Sequence, residues 1–153
     1  MFYFDYVNGK KFLKSSILDG LNHIFTTRET VVKTKENNFE KLANLNKKEI
    51  CDFLKINEED FISPSQTHTS HIEVAQVGKT SYPETDGLIL ANNKQAICLN
   101  FADCTPVIVF DPINNIGAVS HAGWRGTAGN IATKTVQKMV CDFNSKPQDL
   151  NVQ

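Results

Sequence analysis

The chain has 153 residues, with 16 Lys and Arg against 17 Asp and Glu and a formal net charge of -1. This length suits one globular domain, and the balanced charge excludes the basic surface typical of nucleic-acid-binding proteins. No apolar run is long enough to cross a bilayer, and the N-terminal residues lack the pattern of a signal peptide. We therefore expect a cytoplasmic protein that binds neither nucleic acid nor membrane.

The first residues predict a β-hairpin. The aromatic-rich run FYFDYV is followed by Asn8-Gly9, a typical pair for a two-residue hairpin turn, and the segment KKFLK then forms the returning strand. The segment LNHIFTT (21–27) predicts another strand. The polar residues 28–40 predict a surface loop that leads into a helix.

The next segment predicts a helix over 47–55. Asn46 and Glu49 have the spacing of a capping box, with Asn in place of Ser or Thr. Apolar residues at helical spacing follow them, namely Ile50, Phe53 and Leu54.

Beyond Pro64 the pattern predicts strands. Short apolar or β-branched runs recur between turn residues. They occupy 65–77, 85–91, 95–101, 105–111 and 116–123.

The last part of the chain predicts a helix and then the start of a strand. Apolar residues at helical spacing indicate a helix from Thr127, its proposed cap, to about 143, with Lys146-Pro147 beyond it. Residues 149–153 alternate as at the start of a strand. Strands clustered between two helices favour the α+β class, within one domain over 1–153.

Four cysteines occur, without the CxxC spacing of many metal sites. Disulfides are not expected in a reducing compartment. Because free cysteine is usually a small buried side chain, we predict that Cys51, Cys98 and Cys141 are buried thiols.

Three segments carry residues suited to chemistry: SQTH with His68, ADCTP with Cys104, and SHAGWRG with His121. Two histidines and a cysteine suit zinc, and three protein ligands leave a fourth position for water, as in catalytic zinc sites. Bound zinc would lower the pKa of that water towards ~7. Spacing alone does not establish the site, because the three residues are far apart in sequence.

Other interpretations of these residues remain open. Cys104 could be a nucleophile paired with a histidine that Asp103 orients, or a buried thiol in a turn. On a strand, His71 would face away from His68, so we predict a surface position for His71 and a structural role for His23.

The segment 124–129 predicts an anion site. It opens a helix, where free amides together with Arg125 could bind phosphate, and Gly126 allows close approach of the backbone. The alternative is tight packing of the strand against the helix, with Arg125 paired to a carboxylate.

Taken in order, QTH, TDGLIL, NFADCTPVIVFDP and GAVSHAGWRGTAGNI resemble the bacterial YfiH-like family. That family was named for a laccase-type polyphenol oxidase and is now described as purine nucleoside phosphorylases with adenosine deaminase activity. The resemblance covers most of the chain, from about residue 21. It implies mixed β-sheets in a sandwich flanked by helices.

The resemblance also implies a site. The family's zinc ligands correspond to His68, Cys104 and His121. Its substrates are adenosine, inosine, guanosine and methylthioadenosine, with phosphate as the second reactant. We assign Asp103 as a catalytic proton shuttle, and Arg125 and Gly126 as phosphate-binding residues, from their chemistry.

Three features depart from the family pattern. Thr69 stands where the family has Gly, and ETVVKTKENNFEKL replaces a Gly-rich segment after HIFTTR. Family members also continue past this C-terminus through further strands, which predicts a C-terminally incomplete domain.

Four functional hypotheses follow. The first is a zinc-dependent purine nucleoside phosphorylase with adenosine deaminase activity. The others are a copper-dependent phenol oxidase, a metal-free cysteine hydrolase that uses Cys104, and an inactive truncated fragment or binding module.

Overall fold

The computed structural model describes residues 1–30, 32 and 40–153. Along the described chain the elements are β1 (Phe2–Val7), β2 (Lys10–Ser15), α1 (Glu40–Leu54), β3 (Phe61–Ile62), β4 (Ile72–Val74), β5 (Gly87–Leu90), β6 (Ala96–Ile97), β7 (Thr105–Asp111), β8 (Ile116–Ala122), α2 (Trp124–Ala128), α3 (Ile131–Phe143) and β9 (Asn151–Val152). Within these ranges no helix is both long and apolar enough to span a membrane.

A mixed five-stranded sheet in the order β4-β5-β8-β7-β9 forms the centre of the fold. Strands β4 and β5 are parallel, and the other neighbours are antiparallel. Strand β5 lies between two cores because successive side chains of a strand face opposite sides of the sheet. Ile89 packs with Met139 of α3, whereas Leu88 packs with Ile62 of β3. The predicted α+β class, with mixed sheets flanked by helices, is confirmed.

Strands β7 and β8 form the longest antiparallel pair of this sheet. They pair from Thr105 opposite Ala122 to Asp111 opposite Ile116. The turn between them is closed by the Asp111 carboxylate, which accepts hydrogen bonds from the amides of Ile113 and Asn114 at 2.9 and 3.0 Å. Both strands agree with the sequence prediction.

The predicted helix from Thr127 to 143 is instead two helices, α2 and α3. Thr127 lies inside α2, so its assignment as the cap is wrong; Asn130, in the left-handed conformation, precedes α3. At the break, Gly129 lies against Ser70, where a Cβ would come within 2.8 Å of Ser70 Oγ. The predicted end of the helix is confirmed, at Phe143.

The predicted hairpin is confirmed as β1 and β2. Its turn residues Asn8 and Gly9 both have positive φ angles, 50° and 77°. Two positive φ angles are what a type I′ turn requires, and Asn-Gly adopts them at low cost.

The predicted strand over 21–27 is wrong. Only Phe25 pairs, through two backbone hydrogen bonds with Leu13. The ring of His23 occupies the neighbouring position: its Nε2 accepts the amide proton of Ser15 at 2.9 Å, and its Nδ1 lies 2.8 Å from the carbonyl of Leu21. A side chain therefore replaces the backbone pairing of a strand, which confirms a structural role for His23.

The predicted capping box is also wrong, because α1 begins at Glu40 and contains Asn46 and Glu49 in its interior. Both side chains instead bind Lys10 of the hairpin. Lys10 Nζ lies 2.8 Å from Asn46 Oδ1 and 2.7 Å from Glu49 Oε2. Residues 28–30 form a 3-10 turn, and most of the loop predicted over 28–40 lies outside the described residues.

The strand predicted over 65–77 contains only β4, and the one predicted over 95–101 contains only β6. Residues 65–71 form a loop, in which three amides donate to the carboxylate of Asp86, the residue before β5. Among the predicted buried thiols, Cys51 is buried and Cys98 is half-buried. Cys141 is exposed, so its predicted burial is wrong, because it lies on the outer face of α3.

Candidate metal centre

His121 lies at the end of β8 and is only 4% exposed. Its backbone amide donates to the carbonyl of Asp86 at 2.7 Å, and its Nδ1 lies 2.8 Å from Asp86 Oδ1. A carboxylate only accepts hydrogen bonds, so Nδ1 carries the proton. Nε2 is then the ring nitrogen with a free lone pair, as a metal ligand requires.

His68 lies in the loop before β4 and has a positive φ of 63°. A positive φ is costly for a residue with a side chain, and neighbouring hydrogen bonds hold it here. The amides of Thr67, His68 and Thr69 all donate to the Asp86 carboxylate, at 3.1, 3.1 and 2.8 Å. The His68 side chain remains exposed.

Cys104 precedes β7 and is half-buried. Its loop is tied to the His68 loop by the side chain of Gln66. Gln66 Nε2 donates to the carbonyl of Asn100 at 2.9 Å, and Gln66 Oε1 accepts the Asn100 amide proton at 2.8 Å. This pair of bonds fixes the separation of the segments that carry His68 and Cys104.

The structure brings the three predicted ligands together. One ligand atom from each of His68, Cys104 and His121 lies within 4.8 Å of the others. The two imidazole rings are 4.8 Å apart between centroids, in an edge-to-face arrangement. Gly123 forms the floor of this cluster, because a Cβ there would lie 3.0 Å from Cys104 Sγ and 3.2 Å from His68 Cδ2.

The Asp86 carboxylate lies beside the cluster and is fully buried, and it accepts hydrogen bonds from both histidine segments. Burial raises the pKa of Asp86, but hydrogen bonds from His121, Thr69 and Thr67 outweigh this effect and hold the pKa below its usual value. The carboxylate is therefore ionised at neutral pH and provides a permanent negative charge beside the two histidines.

The pKa of the Cys104 thiol is shifted in the opposite direction, above its usual value. Burial raises its pKa, and the negative charges of Asp103 and Asp86 raise it further. Asp103 is exposed, and its Oδ1 lies 3.8 Å from Cys104 Sγ. In the absence of a cation the thiolate is therefore disfavoured.

The remaining candidates lie around the cluster. Arg125 is exposed and lies over the ring of Trp124, 5.1 Å from its centroid. Gly126 is buried, and a Cβ there would meet the carbonyl oxygens of Thr69 and His121 at 3.0 and 3.1 Å. His71 lies outside the cluster, with Nε2 3.4 Å from Glu73 Oε1, and is exposed as predicted. It is carried by a loop, so the strand argument for its orientation does not apply.

Sequence reasoning did not assign Asp86 or Gly123 to the site. Asp86 lies in the TDGLIL segment, directly before β5, and the only sequence signal is an acidic residue at the start of a fully apolar run. Acidic residues are rarely fully buried without partners, so a burial prediction for this segment would have identified it.

The cluster fits a metal ion by its donor chemistry. Two imidazoles and a thiolate are ligands that zinc prefers, at contacts of about 2.0–2.3 Å. The atoms lie within 4.8 Å of one another, so the side chains have to close by roughly 1 Å around an ion of that size. The exposed ring of His68 is free to make that movement.

The chain has recognisable relatives. The family model described as multi-copper polyphenol oxidoreductase laccase matches residues 22–153. A purine nucleoside phosphorylase of Clostridium acetobutylicum is 31% identical over 150 residues, which cover 95% of this chain and 61% of that protein. A protein named adenosine deaminase, from an unknown prokaryotic organism, is 34% identical over 95 residues, covering 56% of this chain and 36% of its own length.

A solved structure supports the same relationship. The crystal structure of the Bacillus licheniformis hypothetical protein YfiH matches with a TM-score of 0.71 and 30% identity, covering 84% of this chain and 51% of that chain. The chain thus spans about half the length of that structure and no more than 61% of the two curated relatives.

Proposed function

Because this chain belongs to the family described as multi-copper polyphenol oxidoreductase laccase, and its curated relatives are named purine nucleoside phosphorylase or adenosine deaminase, we propose that it acts on purine nucleosides at a zinc centre. The ligands are His68, Cys104 and His121. The observation that supports this proposal is the approach of their ligand atoms to within 4.8 Å of one another.

The proposed reactions follow those of the family. In phosphorolysis, phosphate replaces the purine base of adenosine, inosine, guanosine or methylthioadenosine at the sugar. In deamination, water replaces the amino group of adenosine and ammonia leaves. Bound zinc would supply an activated water or polarise a reacting oxygen.

We further propose that residues 1–153 form one domain of this family, since strand β5 contributes to both cores.

The residues around the cluster have separate proposed roles. Asp103 is exposed beside Cys104 and is the candidate proton acceptor or donor for substrate. Arg125 is the candidate phosphate ligand, because the described residues provide no ion-pair partner for its exposed guanidinium. Gly126 supports this surface by packing α2 against the two histidine segments.

A metal-free cysteine hydrolase is less consistent with the site. Nucleophilic cysteines are found beside cationic groups that lower their pKa. Here burial and the charges of Asp103 and Asp86 raise the pKa of Cys104. A bound cation would reverse that balance, which favours a ligand role for this thiol.

Copper is the second candidate metal, because the family description names multi-copper oxidases. Such centres use several histidines, and the chain has four. Two of these have other partners: His23 binds Ser15, and His71 lies beside Glu73. Blue-copper sites add a weak axial methionine, whereas Met139 is buried in the sheet core. The donor set therefore favours zinc.

Metal content of the purified protein tests the proposal, beside Cys104→Ala and the matched variant Cys141→Ala, which removes an exposed thiol on α3. We expect about one zinc per chain, lost in Cys104→Ala and kept in Cys141→Ala. Nucleoside assays with and without phosphate then separate phosphorolysis from deamination, and His121→Ala should abolish both.

Other outcomes would select another hypothesis. Copper in place of zinc, with phenol oxidation that follows copper content, would support the oxidase. Turnover that survives chelators and is lost on thiol alkylation would support the cysteine hydrolase. A non-cooperative thermal transition with exposed apolar surface would support the inactive fragment.

A further inference from the structure

One carboxylate connects two of the proposed ligands. Asp86 Oδ1 lies 2.8 Å from Nδ1 of His121 and 3.1 Å from the amide nitrogen of His68. Its other oxygen, Oδ2, accepts from the amides of Thr67 and Thr69 and from Thr69 Oγ1, at 3.1, 2.8 and 2.9 Å. Oδ1 of Asp86 thus binds the ring of His121 and the backbone of His68.

We propose that Asp86 is the positioning residue of this site, whose carboxylate orients the His121 ring and holds the His68 loop so that both histidines reach one ion. The proposal rests on the zinc centre proposed above. Asp86 does not itself contact the ion or the substrate, because its carboxylate is fully buried and occupied by these donors.

The first part of the argument concerns the ring of His121. A histidine binds metal through the nitrogen that carries no proton, and a carboxylate on the other nitrogen fixes which one that is. Nδ1 of His121 lies 2.8 Å from Asp86, so Nε2 is kept free of protons for a ligand. Without the carboxylate, the neutral ring would distribute between two tautomers and lose its fixed rotation.

The second part concerns the His68 loop. Three successive amides, from Thr67 to Thr69, converge on the Asp86 carboxylate. This convergence supports the positive φ of 63° at His68, which an isolated peptide would populate poorly. Thr69 contributes a further donor through its hydroxyl at 2.9 Å.

A purely structural role makes a different prediction. If Asp86 only stabilised the start of β5, its loss would lower the stability of the fold and leave the metal affinity of the folded protein unchanged. Thr135 provides a matched control for that case. It is fully buried, and its Oγ1 lies 2.7 Å from Ser120 Oγ and 2.9 Å from the carbonyl of Ile131, neither of which belongs to one of the three ligands.

The experiment compares wild type, Asp86→Asn and Thr135→Val by zinc affinity, measured by competition with a chromophoric chelator, and by urea unfolding of the metal-free protein. We expect Asp86→Asn to bind zinc about 10–100-fold more weakly, the range typical of lost partners of metal ligands. Thr135→Val should lose stability and keep wild-type affinity. Equal affinities of wild type and Asp86→Asn, or an equal loss in Thr135→Val, would overturn the proposal.

A second measurement needs neither zinc nor a stable variant. Nitrogen-15 NMR of the metal-free wild type at pH 8 reports which ring nitrogen of His121 carries the proton. We expect protonated Nδ1, whereas protonated Nε2 would overturn the positioning role. A wild type that binds no zinc but has protonated Nδ1 would refute the zinc centre and leave the orientation of His121 by Asp86 supported, so the two failures are distinguishable.

Discussion

Replacing Gly123 with alanine should place a methyl group inside the ligand cluster. The new Cβ would lie 3.0 Å from Cys104 Sγ and 3.2 Å from His68 Cδ2, whereas ordinary contacts of such atoms are about 3.5–4.0 Å. The two ligands must therefore move by roughly 0.5 Å, more than the tolerance of about 0.2 Å for metal–ligand distances. The backbone itself is not strained, because φ is -73° and ψ is 176° at Gly123.

The expected result is a loss of zinc affinity of about 10–100-fold, as for other changes next to metal ligands. In free energy this is about 1.4–2.7 kcal/mol. Metal-free stability should fall by less than about 1 kcal/mol, the cost of alanine in place of glycine at a helix N-cap. Chelator competition measures the first quantity, and urea unfolding of the metal-free protein measures the second.

Gly117→Ala is the matched control, because the same methyl group at the other end of β8 would meet Leu21 Cδ1 at 3.1 Å. The end of a leucine side chain can rotate away, so we expect wild-type zinc affinity. Zinc affinity of Gly123→Ala within a factor of about two of wild type, which is about 0.4 kcal/mol, would refute the assignment of Gly123 to the floor of the site. A loss of zinc affinity in Gly117→Ala as large as in Gly123→Ala would refute it too.

Three further predictions address acid stability and the contacts that hold the site and the hairpin. The pKa of Asp86 is lower in the folded protein than in the unfolded chain. The ionised carboxylate therefore stabilises the fold fully above the unfolded pKa of about 3.9, and this stabilisation is lost as the pH falls through the folded pKa. Urea unfolding of Asp86→Asn between pH 3 and 7 should lack this part of the acid dependence. Gln66→Ala removes both hydrogen bonds to Asn100 and should speed hydrogen exchange of the Asn100 amide and weaken zinc binding, whereas unchanged exchange would contradict the link. Asn46→Ala should destabilise the fold by about 1–3 kcal/mol, because it removes two hydrogen bonds of a buried side chain, to Lys10 Nζ and to the carbonyl of Glu29, each worth about 0.5–1.5 kcal/mol. Glu49→Gln, at a partly exposed ion pair with Lys10, should cost less than about 1 kcal/mol in thermal unfolding.

Where a local pattern was sufficient, the sequence predicted the structure well. The Asn8-Gly9 turn and the apolar strands β7 and β8 lie where predicted, because turn chemistry and continuous apolar runs act over a few residues. The family resemblance, carried by the segments around Cys104 and His121, agrees with the family model that matches residues 22–153.

Two of the wrong predictions share a different cause. Asn46 has the spacing of a helix cap but lies inside α1, where it binds Lys10 from 36 positions away. The segment around His23 has the composition of a strand, but the imidazole replaces the backbone pairing. In each case a polar side chain bonds to a group outside its own segment, Lys10 for Asn46 and Ser15 for His23, and such a bond leaves no periodic signal in the sequence.

The sequence by itself determined the hairpin, the two longest strands of the central sheet, and the identity of three candidate ligands, because each depends on short segments. Only the tertiary structure decided that those ligands meet and that Asp86 connects two of them. Its bonds to Thr69 and His121 span 17 and 35 residues. These contacts form only once β5 pairs with β8 and the His68 loop folds over the end of that pair, so no local pattern of residues could specify them.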